Sequence, residues 1–144
     1  MGQELGRVAG PEEMKLLLDT HIWLWAATDQ RRIKRSLSRE LARSSNEVWI
    51  SPISILELGV QYRKGRLQIN GGYEGWVEQF FRNPDIRCAE INYQVALEAN
   101  RFHLQTEDPA DRWLVATARV YDLVLVTADE KILASKAVRT LANE

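Results

Sequence analysis

Cysteine is nearly absent from this chain of 144 residues: Cys88 stands alone, so no intramolecular disulfide can form. Histidine is almost as scarce, and His21 and His103 beside one thiol do not supply the soft ligands of a closed zinc site. Any metal held here must be held by oxygen. No stretch stays apolar for the ~20 residues that a membrane-spanning helix needs. The first thirteen residues also lack the basic and apolar regions of a secretory signal. A cytoplasmic protein without a membrane span is therefore expected. Neither sign of charge prevails, since 19 basic residues face 20 acidic ones for a net charge of −1. No global field marks a nucleic-acid binder, and local patches must carry any such argument. Internal repeats and low-complexity tracts are missing too.

What is present is the composition of a globular domain, 45% hydrophobic and 27% charged. A chain of this length buries roughly 70% of its unfolded surface, enough for one domain with a real core. Residues 1–13 show no periodicity and are expected to be a flexible N-terminal extension, leaving 14–144 as the domain. Short unbroken apolar runs at 15–19, 48–52 and 123–127 suit strands buried on both faces. A weaker fourth strand is expected at 86–91 and an edge strand at 137–141. Helical patterns fall between them at 22–27, 36–44, 53–64, 73–81, 94–103 and 109–122, with a short helix at 130–135. Strands alternating with helices imply an α/β fold with a mostly parallel sheet covered on both faces.

Ligands of such sheets bind beyond the carboxyl ends of the strands, and that rule sorts the acids. Asp19 closes the first strand. Glu57 follows the second, and helical spacing places it on one stripe with Ile53, Leu56 and Val60, a costly position for an unpaired carboxylate. Asp111 lies in D-P-A-D-R-W, three residues after Asp108, which has the place of an N-cap before Pro109. Leu114, Val115 and Ala118 follow Asp111 at inward-facing intervals. Asp129 comes two residues after L-V-L-V-T. Asp122, by contrast, precedes that strand and belongs at the opposite edge, where no chemistry is expected. Each acid alone has a structural explanation as a cap or an ion-pair partner. Four from distant segments at one edge raise one another's pKa and are stable together mainly around a cation. All-oxygen ligands select Mg2+ or Mn2+, ions suited to the hydrolysis of phosphodiesters.

The segments L-L-L-D-T-H-I-W-L-W, W-I-S-P-I-S-I-L-E-L, D-P-A-D-R-W-L-V-A-T-A and L-V-T-A-D-E-K-I, in this order and spacing, resemble the PIN-domain ribonucleases of the VapC toxin type. The resemblance runs from about Lys15 to Leu141. It implies a three-layer α/β/α sandwich and a metal-dependent endoribonuclease, the toxin of a toxin–antitoxin pair. Its acidic site would be Asp19, Glu57, Asp111 and Asp129, with Asp19, Asp111 and Asp129 on the ion and Glu57 as ligand or general base. Thr127 would be an accessory hydroxyl and Arg112 a supporting partner. The implied partners are RNA, a small VapB-like antitoxin and a second copy of the chain. A metal-dependent phosphatase on a similar sheet is the competing enzyme class, but it favours a D-x-D pair after the first strand, where D-T-H stands. A catalytically inactive PIN-like RNA-binding module would normally have lost one of the four acids.

For RNA, the basic candidates are Arg31, Arg32, Lys34 and Arg35, with Arg63 and Lys64 as a second cluster. The five tryptophans, Trp23, Trp25, Trp49, Trp76 and Trp113, could stack on bases, although most are better explained as core or interface anchors. The helices after Asp19 and after Ser51 are the expected docking surfaces for a protein partner.

Overall fold

The computed structural model describes residues 13–106 and 108–144. Apart from Glu13, the expected N-terminal extension lies outside the described residues. Five strands, β1 (Lys15–Leu18), β2 (Glu47–Ile50), β3 (Ile86–Cys88), β4 (Val124–Thr127) and β5 (Thr140–Ala142), form one sheet in the order β3-β2-β1-β4-β5. Every pairing is parallel, with Leu16 opposite both Val48 and Val124. Among the described residues seven α-helices connect and cover them: α1 (Thr20–Thr28), α2 (Arg35–Ala42), α3 (Pro52–Arg63), α4 (Tyr73–Phe81), α5 (Tyr93–Glu98), α6 (Pro109–Tyr121) and α7 (Glu130–Ser135). A short 3-10 turn, Gln30–Arg32, joins α1 to α2.

The unbroken apolar runs have the cause expected of them. Because side chains alternate across a strand, Leu16, Leu18, Val124 and Val126 enter one core, while Leu17 and Leu125 enter the other. The first core holds Ile22 and Trp23 of α1, Leu37 of α2, Leu58 of α3 and Tyr73 of α4. On the other face lie Leu114, Val115 and Ala118 of α6 with Ile132 of α7, and Val95 of α5 packs with Ala116. Helices on both faces make the expected three-layer α/β/α sandwich.

Several boundaries depart from the sequence reading. The helix expected over 94–103 stops at Glu98, where tight backbone turns from Asn100 to Leu97 and from Arg101 to Glu98 replace it. The edge strand begins three residues later than expected, at Thr140, and the fourth strand stops at Cys88. The inward face of α3 is also different. Ser54 and Leu58 are the buried residues, whereas Leu56 is 61% exposed, so the stripe of Ile53, Leu56 and Val60 is not the core face.

Since Leu125 is fully buried in the second core, truncation should leave a cavity there. Leu125→Ala is expected to cost about 2–5 kcal/mol, read from urea unfolding, and a loss under about 1 kcal/mol would contradict this packing.

Candidate active site

The sheet order reverses between β1 and β4, and the four acids gather beyond the carboxyl ends of these strands. Asp19 follows β1 directly, and its backbone N–H still donates to Val126 O at 3.0 Å. Its Oδ1 caps α1 by accepting from the Ile22 N–H at 2.9 Å. Its Oδ2 accepts from the Thr127 hydroxyl. The same hydroxyl accepts from the Asp129 N–H at 3.0 Å, so Thr127 links the ends of the two central strands. Asp129 in turn caps α7, accepting from the Lys131 and Ile132 N–H groups.

Glu57 comes from the second turn of α3. That helix starts at Ser51, whose hydroxyl accepts from the Ile53 N–H at 3.0 Å, with Pro52 at the first helical position. Glu57 is half-buried, and its Oε1 accepts from the Thr20 hydroxyl, which also meets Ser54 Oγ at 2.8 Å. Asp108 caps α6 through the Ala110 N–H at 2.9 Å. That leaves Asp111 without the cap, facing Thr106 Oγ1 at 3.4 Å. Cap and candidate ligand are therefore separate residues of one motif.

A single cleft of about 570 Å³ is lined by Asp19, Glu57, Asp111 and Asp129 together. Asp108, Thr20, His21, Trp25 and Arg32 also border it. Sequence reasoning missed Thr20 and Ser54, whose signal is the hydroxyl directly after Asp19 and the serine three residues before Glu57. It also gave Asp108 only the work of a cap. Arg112 turns elsewhere. Its Nη1 donates to Ala99 O at 2.7 Å and Phe102 O at 3.2 Å, bracing α6 against the segment after α5. Of the basic residues, Arg32 borders the cleft, while the Arg31 side chain is 92% exposed and pairs with Asp29.

Burial raises the Asp19 carboxyl above the ordinary range, against the opposing hydrogen bonds from Thr127 and Ile22. Glu57 is raised likewise, by burial first and then by the charges of Asp108 and Asp19, with the Thr20 bond opposing. Asp111 is pushed up to about 6, by burial and then by Asp108, Asp129, Glu57 and Asp19. Mutual repulsion of this kind is what a divalent cation relieves, and the donors are all carboxylate oxygens with acceptor capacity to spare. The residues therefore fit a hard ion. Among the described residues no three acidic, histidine or cysteine side chains already enclose a metal position, so binding would draw the carboxylates inward. Among those residues, too, no helix is long and apolar enough to cross a membrane.

Comparison with known proteins bears on this arrangement. The family described as PIN domain matches residues 16–138. Ribonuclease VapC22 of Mycobacterium tuberculosis is 28% identical over 118 residues, 81% of this chain and 88% of that protein. Among solved structures, VapBC2 from Rickettsia felis, bound to a promoter DNA fragment, superposes with a TM-score of 0.68 at 16% identity. That alignment covers 91% of this chain and all of the other (100%). VapBC-1 from nontypeable Haemophilus influenzae gives 0.63 at 17% identity, over 90% and 98% of the two chains. At these identities the solved structures establish the shared fold.

In the metal-free protein the folded state holds the Asp111 proton more tightly than the unfolded chain does. The stability from this group is complete below 3.8, its ordinary pKa, and is lost as pH rises through about 6. Asp111→Asn removes that loss. In EDTA its urea midpoint should exceed that of wild type at pH 7.5 and approach it near the low end of the range. A variant less stable than wild type at pH 7.5 would mean that Asp111 serves the helix and not the cluster.

Proposed function

The chain belongs to the PIN-domain family, and from that premise we propose that it is a metal-dependent endoribonuclease, the toxin of a VapBC-type pair acting in the cytoplasm. The observation that carries this reading is the meeting of Asp19, Glu57, Asp111 and Asp129, from four distant segments, in one cleft. Nucleases of this family depend on a metal. Mg2+, or Mn2+ in its place, is the ion that the all-oxygen donors select. Asp19, Asp111 and Asp129 would hold it. When bound, such an ion lowers the pKa of water and offsets charge on the leaving oxygen of a phosphodiester.

The rest of the chemistry belongs to the chain. Glu57, whose carboxyl burial and neighbouring charge raise above its ordinary range, takes the proton of the attacking water, and the Thr20 hydroxyl fixes its orientation. Thr127 holds Asp19 in register with Asp129. Arg112 steadies α6 so that Asp111 keeps its place. The basic side chains of Arg31, Lys34 and Arg35, with Arg63 and Lys64 at the end of α3, draw the RNA backbone toward the cleft.

The partner proposed for the apolar surface is a small VapB-like antitoxin. A groove of about 600 Å³ between α3 and α4 is lined by Ile55, Leu56, Val60, Tyr62 and Tyr73. A hollow of about 320 Å³ shares Leu56 and Val60 with that groove and Thr20, His21 and Glu57 with the cleft. A peptide lying along the groove would thus reach the carboxylates. A second copy of the chain is the partner proposed for Tyr93 and Leu97, exposed one turn apart on α5.

Purified protein is expected to cut a single-stranded RNA pool with Mg2+ and to stop with EDTA. Asp19→Asn should lower the rate roughly a hundredfold or more, and Thr127→Val about 10–100-fold as the loss of an orienting partner. Asp122 is exposed at the other edge of the sheet and paired with Arg139, so Asp122→Asn should cut RNA like wild type. Equal losses in Asp19→Asn and Asp122→Asn, with both proteins folded, would remove the assignment.

A further inference from the structure

Among the described residues five carboxylates border the cleft, Asp19, Glu57, Asp108, Asp111 and Asp129, and a polyanion entering it meets repulsion from every one that is ionised. Arg32 is the one lysine or arginine that lines it among the described residues. Its guanidinium has no carboxylate partner among those residues. It lies instead over the Trp25 ring, 4.4 Å from the centroid, and Trp25 also lines the cleft. The neighbouring Arg31 is placed differently: it pairs with Asp29 at 3.1 Å and does not line the cleft.

The root of the Arg32 side chain is held as firmly as its tip. Ile33, the next residue, is buried in the first core. Asn143 clamps the backbone on either side of it: its Nδ2 donates to Arg32 O at 2.8 Å, and its Oδ1 accepts from the Lys34 N–H at 2.8 Å. The Arg32 N–H donates to Asp29 O at 3.1 Å, closing the 3-10 turn. A planar cation with a fixed root and an aromatic backing keeps its five N–H donors free while losing little further freedom on binding. Such a group suits the non-bridging oxygens of a phosphate.

We propose that Arg32, seated on Trp25 at the wall of the acidic cleft, binds a backbone phosphate of single-stranded RNA and so positions the strand against the carboxylates. The proposal rests on the nuclease reading and adds to it the residue that tells the strand where to lie. Arg32 contacts a phosphate that is not cleaved, so it acts on binding in the ground and transition states alike.

Two measurements separate the proposal from the reading beneath it. The first is the affinity of a fluorescently labelled single-stranded RNA oligonucleotide for Asp19→Asn protein, read by anisotropy over a range of salt concentrations. Adding Arg32→Ala to this background should weaken binding about tenfold or more and flatten the slope of log affinity against log salt by about 0.7. Arg32→Lys should restore the slope but only part of the affinity. Trp25→Leu should weaken binding with the slope kept, because the charge remains. Arg139→Ala, an equal loss of charge at the opposite sheet edge, should change neither. The second measurement is steady-state cleavage by otherwise wild-type protein, in which Arg32→Ala should raise KM by a similar factor and leave kcat close to wild type. Affinity and slope unchanged by Arg32→Ala would overturn the proposal even if RNA is cut. Wild-type protein that cuts no RNA with Mg2+ would overturn the nuclease reading instead, and the anisotropy series would still decide the role of Arg32.

Discussion

One hydroxyl ties the site to the sheet. Thr127 is fully buried at the end of β4, donates to Asp19 beyond β1 and accepts from the backbone of Asp129. The first of these bonds crosses the seam where the strand order reverses and the second is local to the end of β4, so the pairing of the two central strands also sets the positions of two acids. A buried carboxylate that accepts two hydrogen bonds is far less costly than a bare one. Asp19 can therefore sit nearly buried at the end of β1.

Helix starts perform the second half of the work. Asp19, Asp108 and Asp129 each cap a helix, and the partial positive charge of a helix N-terminus favours the anion placed on it. Three of the five carboxylates of the cleft are thus held by the scaffold itself. Asp111 and Glu57 are the two that are not caps, and both are raised by burial and by their neighbours. The cluster divides into acids that accept a backbone N–H at a helix start and acids that do not, although burial raises Asp19 among the first group as well. Of the acids proposed to hold the ion, Asp111 is the one whose charge no backbone N–H answers, so an ion would relieve the repulsion on it directly.

The strands and the four acids were legible because their signals are local and redundant. K-L-L-L-D and L-V-L-V-T are apolar on both faces, and a parallel sheet buried on both sides leaves polar residues only at its ends. The face of α3 was not legible. Ile53, Ile55, Leu56, Leu58 and Val60 make that helix apolar in nearly every direction, so periodicity alone cannot choose, and packing against Tyr73 and the sheet chooses Leu58. The Thr20 hydroxyl bridging Ser54 and Glu57 depends on two helices meeting, which no spacing within one segment reports. The contacts through which Arg112 acts were not legible for a related reason. A long cation beside an acid in sequence reads as its partner, yet helical geometry sends the two side chains to different neighbours.

The order of the strands has a consequence for how the protein comes into being. Asp19 and Thr127 are 108 positions apart, and β1 lies in the sheet centre only when β4 has arrived beside it. Chains are made from the amino end at about 5–20 residues per second, and contacts distant in sequence close last. On a ribosome, β1, β2 and the helices between them can form while β1 is still unpaired on the side that β4 will take. The cleft is complete only after Asp129 has emerged, more than a hundred positions after Asp19. A chain made only as far as α3 therefore carries β1, β2 and the helices between them without the carboxylates of α6 and the β4 end, so the strand order makes assembly of the cluster wait for β4.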